Sequence, residues 1–113
     1  MKHWTNLTNP SQLSENLTTS ETKPVLIFKH STRCSISSMA LDRLNRKWKA
    51  ENSDKISPYF LDLLSFREVS NQIASDFKIE HQSPQVLLIS KGTCVYVAAQ
   101  NAIDLGLILE ELK

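Results

Sequence analysis

The stretch Val25-Leu26-Ile27-Phe28-Lys29 constrains this chain more than any other. It follows Pro24 and runs apolar without a break, with β-branched residues inside it. Such a run reads as a strand buried on both faces. A strand of that kind needs helices above and below its sheet. The 113 residues are enough to supply that cover within one domain, taken as residues 1–113.

The flanking sequence provides the pieces. Asn9-Pro10 opens a helix to about Thr19, with Gln12 placed to complete a capping box and Leu13 and Leu17 on one face. A short edge strand is expected near Trp4. A helix is predicted over Ser35–Ala50, burying Ile36, Met39, Ala40, Leu44 and Trp48 and turning Asp42, Arg43, Arg46 and Lys47 to water. Glu51–Lys55 reads as a polar turn and Ile56–Leu63 as a second strand. Ser65 and Glu68 have capping-box spacing, ahead of a helix marked by Phe66, Val69, Ile73 and Phe77. Val86–Ser90 and Thr93–Ala99 flank the turn Lys91-Gly92 as a hairpin. Asn101–Lys113 reads as the last helix, with Leu105, Ile108, Leu109 and Leu112 inward. The two early strands, joined by a helix, should be parallel with a right-handed crossover. The sum is an α/β chain with a mixed four- to five-stranded sheet flanked by helices on both faces, the arrangement of a thioredoxin-like fold.

Composition narrows the chemistry. The net charge of +1 gives no field that favours nucleic acid or an anionic membrane. The first residues lack the apolar stretch of a signal peptide, and no apolar run approaches membrane-spanning length, so the cytoplasm is the expected location. The two cysteines, Cys34 and Cys94, are too few for a disulfide scaffold. No cysteine or histidine spacing suggests a zinc site, and His3, His30 and His81 read as surface or packing residues.

Cys34 falls where the buried strand hands over to a helix, in His30-Ser31-Thr32-Arg33-Cys34-Ser35-Ile36-Ser37. That junction sets a side chain over the free amides of a helix N-terminus, which stabilise a thiolate. Arg33 can add positive charge if it folds back over the sulfur. Ser37 stands one helical turn on, where a two-cysteine enzyme holds its resolving thiol. A hydroxyl cannot attack a disulfide and can only donate a hydrogen bond to the thiolate. The site therefore reads as monothiol. Cys94, just past the distant turn of the hairpin, reads as a packed strand residue.

This segment, with Lys23–Lys29 before it and His81-Gln82-Ser83-Pro84-Gln85-Val86-Leu87-Leu88-Ile89 later, resembles the monothiol bacilliredoxins of the YtxJ type over nearly the whole chain. That family has a thioredoxin-like fold and a Thr-Cys-Pro-Ile-Ser motif. The resemblance implies removal of bacillithiol from mixed disulfides on cytoplasmic proteins, with Cys34 as nucleophile and Ser37 in the blocked resolving position. It implies no permanently bound cofactor. Bacillithiol, or a related low-molecular-weight thiol, would be the co-substrate and S-bacillithiolated proteins the partners. It also implies a cis proline at Pro84, with Ser83 offering backbone hydrogen bonds to the bound thiol or peptide. Arg33, Ser35 and Ile36 would complete the substrate contacts. Two positions depart from the motif: Arg33 replaces the threonine before the cysteine, and Ser35 replaces the proline after it.

Two other functions fit the same pattern. An iron–sulfur carrier like the monothiol glutaredoxins would use this cysteine as a ligand, although Ser35-Ile36 stands where those proteins have Gly-Phe. A non-catalytic thioredoxin-like interaction module would leave Cys34 incidental.

Overall fold

The computed structural model describes residues 3–112. Met1 and Lys2, at the start of the expected leaderless N-terminus, and Lys113, the expected end of the last helix, lie outside them. Ten regular elements follow one another: β1 (Thr5–Asn6), α1 (Ser11–Thr19), β2 (Val25–His30), α2 (Ser35–Lys47), α3 (Ala50–Lys55), β3 (Ser57–Asp62), α4 (Arg67–Phe77), β4 (Gln85–Ser90), β5 (Thr93–Ala99) and α5 (Leu105–Glu110). The strands form one sheet in the order β1-β3-β2-β4-β5. β2 runs parallel to β3 and antiparallel to β4, so the apolar run is central, as expected.

All six residues of β2 are buried. Leu26 and Phe28 face a core with Ala40 and Leu44 of α2, Leu105 and Ile108 of α5, and Trp4 and Trp48. Val25 and Ile27 face the opposite core, closed by Leu13 of α1 and Val69 and Ile73 of α4. Alternation along a strand then sends Lys29 to the α1/α4 side and His30 to the α2 side.

The helix expected over Ser35–Ala50 is two helices. α2 ends at Lys47, and Trp48 and Lys49 adopt extended backbone (ψ 124° and 160°). The step lets Trp48 enter the core against Trp4, with ring centroids 5.4 Å apart. Residues Glu51–Lys55, expected as a turn, belong to α3, where Asn52 Oδ1 accepts from Lys49 N at 2.9 Å. Ile36 and Met39 are 44% and 63% exposed rather than core residues. The buried stripe of α2 runs Ser37, Ala40, Leu44, so a serine takes the inward place at its first turn.

Of the two expected capping boxes, one forms. Asn9 and Gln12 form their reciprocal pair, each backbone N–H donating to the other's side-chain oxygen at 3.2 Å. The Ser65–Glu68 box does not form, because Asp62 Oδ1 accepts from Leu64 N and Ser65 N, and Ser65 Oγ donates to Asp62 Oδ2. The last helix begins only at Leu105. A 3-10 turn, Gln100–Ala102, precedes it, and Asp104 Oδ2 caps it by accepting from Leu107 N at 3.1 Å. Among the described residues no helix is long and apolar enough to cross a membrane.

Candidate active site

Cys34 is the N-cap residue of α2, in extended backbone with φ −112° and ψ 117°. Its carbonyl accepts the first helical hydrogen bond, from Ser38 N at 3.1 Å. The next amides, of Ser35, Ile36 and Ser37, have no acceptor within the helix. An N-cap side chain stands near the second and third of these, and the Cys34 side chain makes no capping hydrogen bond to them here. No acidic residue stands in the first turn to oppose an anion. Cys34 is partly exposed, and Thr32, Arg33, Ser35, Ile36 and Met39 around it are exposed, a surround of mixed polar and apolar side chains.

Ser37 lies beneath, fully buried. Its hydroxyl oxygen is 2.6 Å from His30 Nδ1 and accepts from Ser31 N at 3.1 Å. The expected hydrogen bond from this hydroxyl to Cys34 is therefore corrected: the group ties α2 to the end of β2. His30 is buried between Phe28 and Phe60, whose rings lie 6.1 and 5.3 Å from its own. Burial pushes its pKa below the ordinary imidazole value, against the opposing pull of the Asp62 carboxylate. The ring is thus held neutral, and its Nδ1 can accept the Ser37 proton.

The Ser83–Pro84 peptide is cis. Gln85 pairs with Lys29, so this peptide arrives opposite the end of β2, at the same edge of the sheet from which the Ser31–Cys34 loop leaves. Pro84 is buried, and its carbonyl accepts from Gln100 N at 3.0 Å. Ser83 Oγ is buried without a hydrogen-bond partner.

Cys94 is remote. It pairs with Ile89, which pairs with Val25 at the start of β2. Five residues of strand separate that rung from His30, roughly 17 Å at about 3.4 Å per residue. A disulfide needs Cα atoms within about 7 Å. Both cysteines are free, and Cys94 packs against the α1/α4 core, where burial pushes its thiol above the ordinary value.

Lys29 and His81 went unnoticed as site residues in the sequence. Lys29 is fully buried, and its Nζ donates to Ser70 O at 3.1 Å and lies 3.4 Å from His81 Nδ1. A lysine closing an apolar run is a weak signal, because such residues usually reach solvent.

A five-stranded mixed sheet, a lone cysteine heading the helix after its central strand and a cis proline at the same sheet edge define a thioredoxin-fold thiol oxidoreductase. Solved structures agree on the fold. One, described as an oxidoreductase candidate with a thioredoxin fold, matches with TM-score 0.82 and 24% identity over 98% of this chain and 95% of its own. Thioredoxin of Malassezia sympodialis matches with TM-score 0.72 and 14% identity over 93% and 84%. Fasciola hepatica thioredoxin matches with TM-score 0.69 and 11% identity over 93% and 92%. The family model of the monothiol bacilliredoxin BrxC matches residues 5–107, and the chain belongs to that family.

Proposed function

We propose that this protein removes bacillithiol, or a closely related low-molecular-weight thiol, from mixed disulfides on cytoplasmic proteins. The Cys34 thiolate attacks the bacillithiol sulfur. The new Cys34–bacillithiol disulfide forms as the old bond breaks, and the protein cysteine leaves as a thiolate that takes a proton from solvent. A second low-molecular-weight thiolate then attacks the bacillithiol sulfur and releases Cys34. One disulfide is exchanged for another at each step, and no metal or resident cofactor takes part.

The observation that carries this reading is the setting of Cys34, a partly exposed free thiol at the N-cap of α2 with no second cysteine in reach. A helix N-terminus stabilises an anion by about 0.3–1 kcal/mol, and up to ~2 kcal/mol when partly buried. Ser83, before the cis Pro84, would offer its backbone N–H and C=O to the incoming chain, since the Pro84 carbonyl is taken by Gln100 N. Arg33, Ser35 and Ile36, exposed beside Cys34 in sequence, would complete the contacts. The test is mass spectrometry after incubation with bacillithiol disulfide. One bacillithiol should appear on Cys34 and none on Cys94, and Cys34→Ser should abolish release of bacillithiol from a protein mixed disulfide. Release that persists in this variant overturns the reading.

A further inference from the structure

The loop before Pro84 has little backbone support of its own. Among the described residues, backbone hydrogen bonds outside the regular elements stop at Ile79 N and resume at Pro84 O. Residues Glu80–Ser83 between them are held by side chains. Two of these come from a single rung of the sheet, the pair Lys29↔Gln85. Gln85 is buried, donates through Nε2 to Glu80 O at 3.0 Å and accepts from Gln82 N at 3.5 Å. Lys29 reaches the same loop from β2, with Nζ on Ser70 O of α4 and 3.4 Å from His81 Nδ1. Ser70 Oγ is 3.4 Å from that nitrogen as well.

A buried ammonium without a carboxylate is expensive. Neither of the ion pairs Arg46–Asp42 and Lys47–Asp104 involves Lys29, and burial alone accounts for its lowered pKa. An aliphatic residue would fill the place on β2 at less cost, so packing alone does not account for a lysine here. What lysine adds is a donor that joins three elements: the strand leading to Cys34, helix α4 and the loop leading to Pro84. Burial, then the charges of Lys29 and Arg67, lower the pKa of His81, which leaves its Nδ1 free to accept.

We infer that Lys29 and His81 are positioning residues, a clamp that fixes the Glu80–Ser83 loop to β2 and so sets how a thiol-bearing partner docks along Ser83–Pro84. The docking step rests on the function proposed above, whereas the clamp itself does not. Neither residue is assigned to the sulfur chemistry, so their loss should weaken binding and leave Cys34 reactive.

Two variants and three readouts test this. Lys29→Met keeps the length of the buried chain, and His81→Ala removes the exposed end of the clamp without altering the core. Nitrogen relaxation should show the order parameters of Glu80–Ser83 near about 0.85 in the wild type and below about 0.6 in both variants. With a bacillithiol-modified protein as substrate, KM should rise about fivefold or more while kcat stays within about twofold. Alkylation of Cys34 by iodoacetamide should stay within about twofold of wild type, since the thiolate is the reacting species. Unchanged loop order and unchanged KM in the folded variants overturn the inference. So does a matched fall in kcat and alkylation, which would place Lys29 at the sulfur. If Lys29→Met fails to fold, His81→Ala decides the question alone. If the wild type takes no bacillithiol at Cys34, the proposed function fails while the relaxation measurement still judges the clamp.

Discussion

Ser37 illustrates how a spacing can locate a residue and misjudge what it does. Cys-x-x-Ser puts the hydroxyl one turn from the sulfur, but the fold gives it two closer partners, His30 and the Ser31 amide. Their pairing is a buried polar contact, and breaking it strands His30 Nδ1 and Ser31 N. Ser37→Ala should therefore destabilise the fold by about 1–3 kcal/mol, the cost of leaving a buried polar group unpaired. The same variant should alkylate at Cys34 within about twofold of wild type, because the thiolate carries that reaction and the Ser37 hydroxyl is engaged by His30 and Ser31 N rather than by the sulfur. Urea unfolding and iodoacetamide kinetics on one sample check both halves. A loss of alkylation without a loss of stability would restore the hydroxyl to the sulfur. His30 was legible only as a surface or packing residue, since nothing in a linear sequence marks which ring will meet a serine seven positions on.

At the scale of elements, legibility followed burial. The run Val25–Phe28 has one physical solution, a covered central strand, and the partners Val86–Ile89 have the same character. Asn9–Gln12 could be read because local spacing and local structure coincide there. The break after Lys47 could not be, because the core's demand for Trp48 overrides a helical pattern that continues through it. Ser65 lost its cap to Asp62, a stronger acceptor that becomes available only once β3 ends beside it. At the site, the order Cys34, Ser37, Pro84 was visible, whereas the clamp of Lys29 and His81 required knowing that Lys29 faces α4. The first turn of α2 allows a direct trial. Ser35 is the first helical residue, where proline fits, and Cys34 before it already holds the extended backbone that a following proline requires. Ser35→Pro should raise stability by about 0.4–1 kcal/mol through the unfolded chain. Reactivity of Cys34 should change by less than about twofold, because an N-cap side chain draws on the second and third amides, not the first. A variant that loses stability would show that the Ser35 amide has a partner that the helix geometry does not provide.

For the whole molecule, the buried titratable groups shape how stability depends on pH. His30 and His81 are both held below their ordinary value of 6.5, so the unfolded chain binds protons first as pH falls. Their contribution is present above pH 6.5 and is lost on acidification. Lys29 acts in a higher window. Burial lowers it from 10.5 to about 8, so between those values the unfolded chain holds a proton that the folded chain has released. Folding is therefore favoured as pH rises through that window, and the buried ammonium costs most below it. The groups near Lys29 from the packed elements are Ser70 of α4, the neutral His81 ring and, beyond His81, Arg67, none of which offers it a negative charge. The shift corresponds to a gain on the order of 3 kcal/mol across the window. Cys94 works against this, since its raised thiol lets the unfolded chain ionise first near its ordinary value of 9.0. The comparison that isolates Lys29 is wild type against Lys29→Met, which share Cys94 and every other titrating group. Urea unfolding at pH 7.5 and pH 10 should show the wild type gaining on the variant by a few kcal/mol at the higher pH, consistent with linkage through one buried amine. Curves that stay parallel would mean that Lys29 titrates alike in both states, and that its ammonium is not desolvated in the fold.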